Sequence, residues 1–235
     1  MRKIQLKQVL RNKRFVLFTI ILPIGWYIFF YHLQKGVSPS ILLGIAVFIG
    51  VIGNSLATFS KRIASDIGFY SFESCFTSYS VKNYLWDQSI VQLIMNSLIF
   101  LAVLVVAVLG FHFPVTTSLL VQFFLLSLMG IYFSVIGFVL GVRVDAKAID
   151  TIGFPVIILA AMTIIPFDTL GASGGFMDLV GKLQRVFPGY YYTKLIQDLT
   201  EKQTIDTTQL ALFVAVFGLN LLFFYLLVPK GKMGN

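Results

Sequence analysis

Polar and apolar positions along this chain separate into long blocks instead of alternating at a short period. Six apolar runs stand out, at 15–33, 40–59, 89–111, 117–142, 149–166 and 208–228. A membrane-crossing helix takes roughly 20 residues to span about 30 Å of hydrocarbon, so each run has the needed length. Where no water is present, a helix is the element that satisfies its own backbone within one segment. The pattern therefore predicts an all-α, polytopic membrane protein with six spans in a single transmembrane domain, 1–235. The fifth run is the least regular, because Asp150 lies near its start and Pro155 falls inside it. Pro23 falls inside the first, where neighbouring helices can satisfy the freed carbonyl.

Composition agrees with the pattern. Hydrophobic residues make up 57% of the chain and charged residues 12%, with mean hydropathy +0.88. Soluble domains carry about twice that share of charge. A single cysteine, Cys75, excludes a disulfide within the chain. No cleavable leader is expected, since the first run is long enough to span and no small-residue cleavage site follows it.

Charge then sets an expected orientation through the excess of Lys and Arg in cytoplasmic segments. With both termini inside, the inner segments hold 13 basic residues, including Lys61, Arg62, Lys82, Arg143 and Lys147, and the outer segments hold 5. Both termini are accordingly expected in the cytoplasm of a multi-pass plasma-membrane protein. Lys3, Lys7, Arg11 and Arg14 recur at helical spacing, which suggests an interfacial amphipathic helix over 1–14 on anionic lipid; a plain topology signal is the other reading. The net charge of +8 is explained by orientation and gives no reason to expect nucleic acid.

Catalytic motifs are missing. The chain has no HExxH, no Cys/His cluster for a metal and no GxxxxGK[ST] phosphate loop. "GASGG", 171–175, matches GxSxG and is similar to the serine motif of rhomboid proteases. A nucleophilic Ser173 needs a base. The two histidines, His32 and His112, both precede it at expected span edges, and the sixth run has none. No enzyme activity, directly bound cofactor or metal is expected. Nor does any run carry Lys, Arg, Asp or Glu at its middle, the usual mark of an ion-coupled transporter.

Polar residues within the runs have two readings. Asn54, Gln92 and Asn96, with Gln122 and Asn220, serve helix–helix hydrogen bonding or line a substrate path, and the bonding reading is favoured for uncharged amides. Gly130, Ser134, Gly137 and Gly141 place small residues along the fourth run, which permits close helix contact.

The polar segments carry a resemblance. "RVFPGYYYTKLIQDL", 185–199, is similar to the Pro-x-x-Tyr element and amphipathic helix that follow the outer re-entrant helices of ABC-2 type permeases. "ESCFTSYSVKNYLWDQ", 73–88, resembles the segment between their second and third spans, with Tyr79 where a proline is common. The whole layout resembles the permease subunit of an ABC-2 type transporter of the drug or bacteriocin exporter kind.

The resemblance implies two permease copies, or a permease and a paralogue, with a separate ABC ATPase that binds magnesium–ATP. It implies a cytoplasmic coupling helix within 60–88, where Phe72, Glu73, Phe76, Ser78, Tyr79 and Lys82 would meet the ATPase. It also implies outer re-entrant helices within 167–192, with Phe187, Pro188, Tyr191 and Tyr192 at an outer gate; the path-lining reading of Asn54, Gln92 and Asn96 comes from their polarity within the runs. Residue types bear on the first of these. Aromatics and Arg are enriched at protein interfaces, whereas Tyr84 and Trp86 beside the third run suit a membrane aromatic belt. The expected cargo is amphipathic or lipophilic. A membrane binding or immunity protein, or a lipid-linked glycan exporter, are the alternatives.

Overall fold

A chain with so few charges has little choice but to close its backbone hydrogen bonds within helices. The computed structural model, which describes residues 11, 16–33, 36–73, 81–165, 167, 175–201 and 205–227, is helical with no strand among them. A π-helical turn, Leu17–Ile21, leads into α1, Leu22–Leu33. Next come α2, Pro39–Ile52, a seven-residue π-helical stretch, Gly53–Phe59, and α3, Ser60–Glu73, without a break between them. The long helices α4, Val81–Phe111, and α5, Ser118–Arg143, follow. Then come α6, Ala146–Met162, two short helices α7, Gly175–Gln184, and α8, Pro188–Glu201, and finally α9, Thr207–Leu226.

Four helical stretches are long and apolar enough to cross a membrane: Pro39–Asp66, Trp86–Phe111, Ser118–Arg143 and Thr207–Leu226. The first apolar run gives a shorter helix, Thr19–Leu33, and the fifth gives the 17 residues of α6. Seventeen residues rise about 25 Å, less than the hydrocarbon thickness. Pro155 does not break α6, which starts earlier than the apolar run because Asp145 caps it, its Oδ1 accepting from the Ala148 N–H at 2.7 Å. Residues 1–10 and 12–14 of the expected interfacial helix lie outside the described residues.

Consecutive long helices alternate in direction. At one end of the bundle the His32 ring meets Phe111, and Gln122 Nε2 donates to the Ser40 carbonyl at 2.8 Å. The chain reverses there through His112, whose φ of 51° lies in the left-handed region. At the other end Arg143 Nε donates to the Leu227 carbonyl at 2.7 Å, a cation satisfying the end of α9. Lys61 pairs there with Asp150, joining α3 to α6 at 2.5 Å.

The core forms around the second span. In its most apolar stretch 78% of Pro39–Asp66 is buried, against 6% of α9. Hydrophobicity cannot drive this order, because lipid tails are as apolar as Leu; close packing does. Small residues of α5 supply that packing. A Cβ on Gly137 would stand 2.1 Å from the Ser55 carbonyl oxygen, and one on Gly141 would stand 2.5 Å from that of Ser60. The small-residue stripe of α5 is thus an intrachain contact with the second span.

Candidate functional site

Two polar constructions lie inside this apolar frame. The first joins three spans. Asn54 Nδ2 donates to Asn96 Oδ1 at 3.1 Å, and Gln92 Nε2 donates to Ser55 Oγ at 3.2 Å and to Asn96 Oδ1 at 3.4 Å. Ser55 Oγ and Ser134 Oγ stand 3.5 Å apart, and Ser134 donates to the Gly130 carbonyl at 2.6 Å. Asn54, Ser55, Gln92 and Asn96 are all buried. Asn54 and Ser55 are consecutive, yet they reach different partners. The π-helical stretch makes this workable, since its i→i+5 pattern inserts a bulge at the level of the network.

Arg62 completes the first construction. Its Nη2 donates to Gln92 Oε1 at 3.4 Å, and its guanidinium lies 5.5 Å from the Phe59 ring centroid. In the sequence it counts as a charge of the polar segment. Its spacing from Ser55 and Phe59, seven and three residues, was the available signal, because such positions share a helix face.

The second construction is a hairpin between α6 and α9. Asn220, 13 residues and about 20 Å along α9 from Thr207, donates from Nδ2 to the Val186 carbonyl at 3.0 Å. Tyr132 OH donates to Asn220 Oδ1 at 3.3 Å. The turn between α7 and α8 therefore lies beside α9, about two-thirds of the way along that helix. From it α8 runs back antiparallel to α9 over a similar length.

Side chains cover the irregular backbone this creates. Gln184 Nε2 donates to the Met162 and Ile165 carbonyls at 2.6 and 2.9 Å, closing the end of α6. Thr193 Oγ1 is within 3.0 Å of the Ile164 carbonyl and 2.9 Å of that of Gly189. Gly189 lies so close to α6 that a Cβ would meet Ile164 Cγ1 at 2.5 Å. These contacts were not read from the sequence. A Gln and a Thr on the apolar side of short amphipathic helices were the only hint.

The residues singled out in the sequence distribute as follows. Pro188 and Tyr192 are buried in the core, and Phe187 and Tyr191 are half-buried. The Tyr192 ring meets Phe48 edge-on, centroids 4.5 Å apart. Asn54, Gln92 and Asn96 come together in the network. Phe72 and Glu73 end α3 and Lys82 lies in the first turn of α4, but their side chains, and Phe76, Ser78, Tyr79 and Ser173 altogether, lie outside the described residues. Among the described residues no His, Cys, Asp or Glu cluster could hold a metal.

A cavity of about 540 Å³ borders the network, between α4 and α5. Phe59, Asn96 and Ser134 line its inner side, and Trp86, Leu93, Ile131 and Tyr225 line its outer rim. No protein-family model, curated protein or solved structure matches the chain.

Proposed function

We propose that the chain is the membrane-spanning permease subunit of an ATP-driven exporter of ABC-2 type, moving an amphipathic or lipophilic cargo with energy from a separate ATPase. The observation that carries this reading is the deep α7–α8 hairpin. Irregular backbone at membrane depth is tolerated where it is buried in protein or lines a path. Here a whole helix–turn–helix enters beside the spans, and Gln184, Thr193 and Asn220 satisfy its backbone and that of α6. A protein that only binds at the membrane surface has no need of such a device, whereas an exporter needs a closure on the far side of its path.

In this reading the first apolar helix and α6 complete six spans, both termini are cytoplasmic, and residues 1–14 lie in the inner interface. The helix from Pro39 to Glu73 extends past its apolar part, and the segment within 60–88 would meet an ATPase bound to magnesium–ATP through Phe72, Glu73 and Phe76. Two permease copies, or a permease and a paralogue, complete the path.

Purification of the chain with its associated proteins tests the proposal: a P-loop ATPase is expected to co-purify, and the two are then reconstituted together. ATPase turnover is expected to rise on adding the permease, and Glu73→Lys or Phe76→Ala should abolish that rise while leaving insertion intact. Turnover indifferent to the permease would remove the exporter reading and favour a membrane binding or immunity protein.

A further inference from the structure

No apolar run of the sequence carries a charge at its middle, yet the α7–α8 hairpin brings a cation to that level. Two bonds fix the position of its turn. Asn220 donates to the Val186 carbonyl, and Tyr132 donates to the same Asn220. Tyr132 lies 14 residues from the start of α5 and 11 from its end, about 21 and 16 Å along the axis. Arg185 precedes Val186 in this turn, and Lys182 stands in the last turn of α7. Both side chains are exposed.

An exposed guanidinium at this level is costly to leave in lipid. Ionisable side chains within membranes face a protein interior or a water-filled cavity and pair there. Among the described residues Arg185 meets the Tyr190 ring, 6.0 Å from its guanidinium carbon, and no carboxylate. Lys194 Nζ lies 5.9 Å from the same ring. A ring face attracts a cation but does not neutralise it. The acidic residues of the hairpin lie nearer its mouth. Asp198 and Glu201 are 10 and 13 residues beyond Pro188 on α8, about 15 and 20 Å. Asp178 is six residues before the end of α7, about 9 Å. Apolar groups run beside the cation instead. Leu179 and Leu183 are exposed on the same face of α7 as Lys182, and exposed Val186 continues that face.

We infer that the tip of this hairpin binds the anionic head, a phosphate or a carboxylate, of an amphiphile whose tail lies along Leu179, Leu183 and Val186. Arg185 makes the contact, because its planar fork takes either head through two parallel bonds. Tyr190 positions it. A free amphiphile and an anionic bilayer lipid share this chemistry. The level of the turn favours the first, since lipid heads stay outside the hydrocarbon core. The inference deepens the exporter reading by giving its lipophilic cargo a negative charge, and it rests on that reading for the place of the hairpin in the membrane.

Bimane attached in a Cys75→Ser, Val186→Cys background reports at the tip. In phosphatidylcholine nanodiscs, nitroxide-labelled dodecyl phosphate should quench it saturably, about tenfold more tightly than nitroxide-labelled dodecanol, as charge-assisted bonds allow. Arg185→Gln should erase that preference, and Arg185→Lys should keep part of it. Equal quenching by the two probes in the parent, or a preference that survives Arg185→Gln, overturns the inference. Should Arg185→Gln not give monodisperse protein, Lys182→Glu decides. It sets a carboxylate three residues from Arg185, and an undiminished phosphate preference in it overturns the site. Replacing phosphatidylcholine by phosphatidylglycerol assigns the source. A smaller ratio of parent to Arg185→Gln binding in phosphatidylglycerol supports the site as one that bilayer lipid occupies, and an unchanged ratio supports a free amphiphile. No ATPase enters the measurement, so its failure leaves the exporter reading to the co-purification test.

Discussion

The polar network at Asn54, Gln92 and Asn96 and the α7–α8 hairpin solve opposite problems. In the network, continuous helices already satisfy most of their backbone, and side chains bond mainly to one another. In the hairpin the backbone is interrupted, and Gln184, Thr193 and Asn220 spend their hydrogen bonds on carbonyls. Amides between intact helices have alternatives, including partners in the membrane-inserted unfolded state, so each is worth little. A carbonyl exposed by a broken helix in hydrocarbon has no alternative. The hairpin should therefore be the more fragile of the two, except where the network's helices touch backbone to backbone.

That exception gives the largest expected effect. Gly137→Ala places a methyl 2.1 Å from the Ser55 carbonyl, and overpacking of this kind costs about 1–3 kcal/mol or more. Thermal unfolding in detergent should fall steeply, or folded protein should be lost. Gly218→Ala, with nothing within 4 Å of the new carbon, should leave the transition in place; a fall as large as that of Gly137→Ala would break the argument from close approach.

Hairpin substitutions come next. Asn220→Leu and Gln184→Leu each strand carbonyls, at about 1–3 kcal/mol. Because Cys75 is the only cysteine, a Cys75→Ser, Val186→Cys background reports the loosened turn as faster maleimide labelling. No gain in labelling from Asn220→Leu would mean the turn is held by something else.

Network substitutions should be smaller. A double-mutant cycle between Asn54→Leu and Asn96→Leu should return a coupling of about 0.6 kcal/mol, measured by unfolding in mixed micelles. A coupling as large as the hairpin effects would reverse the comparison. Smallest of all is Lys61→Gln, since the Lys61–Asp150 pair is exposed at 44% and 60%. Exposed pairs contribute about 0–1 kcal/mol and are screened by salt, so its unfolding transition should match the parent at high ionic strength.

The same contrast explains what was legible in the sequence. The long apolar blocks announced the helices, because hydrocarbon length and backbone satisfaction leave one solution. Gly130, Ser134, Gly137 and Gly141 announced a close contact through their spacing, although which helix they met, the second span, required the fold. The helix–helix role of Asn220, which accepts from Tyr132 OH, was expected; the bonds of Gln184 and Thr193, and that of Asn220 to Val186, were not legible. Their partners are carbonyls, which every residue has, so no complementary residue type marks them. Arg62 was concealed for a different reason. It sits at the polar margin of the second span, where a topology charge and a network donor look alike until the helix is seen to continue through Phe59 and Ser60.

The π-helical stretch Gly53–Phe59 also acts at a distance. One surplus residue in a helical repeat is a phase shift, about 100° for a helix of 3.6 residues per turn. Everything beyond it, out to Glu73 about 20 Å further on, points in a direction set at the bulge. Deleting one residue there, Ala57 for example, would turn that whole arm by about a quarter of a revolution while leaving its composition untouched. The bearing of the Glu73 arm is thus decided at the level of Asn54 and Ser55, inside the bundle.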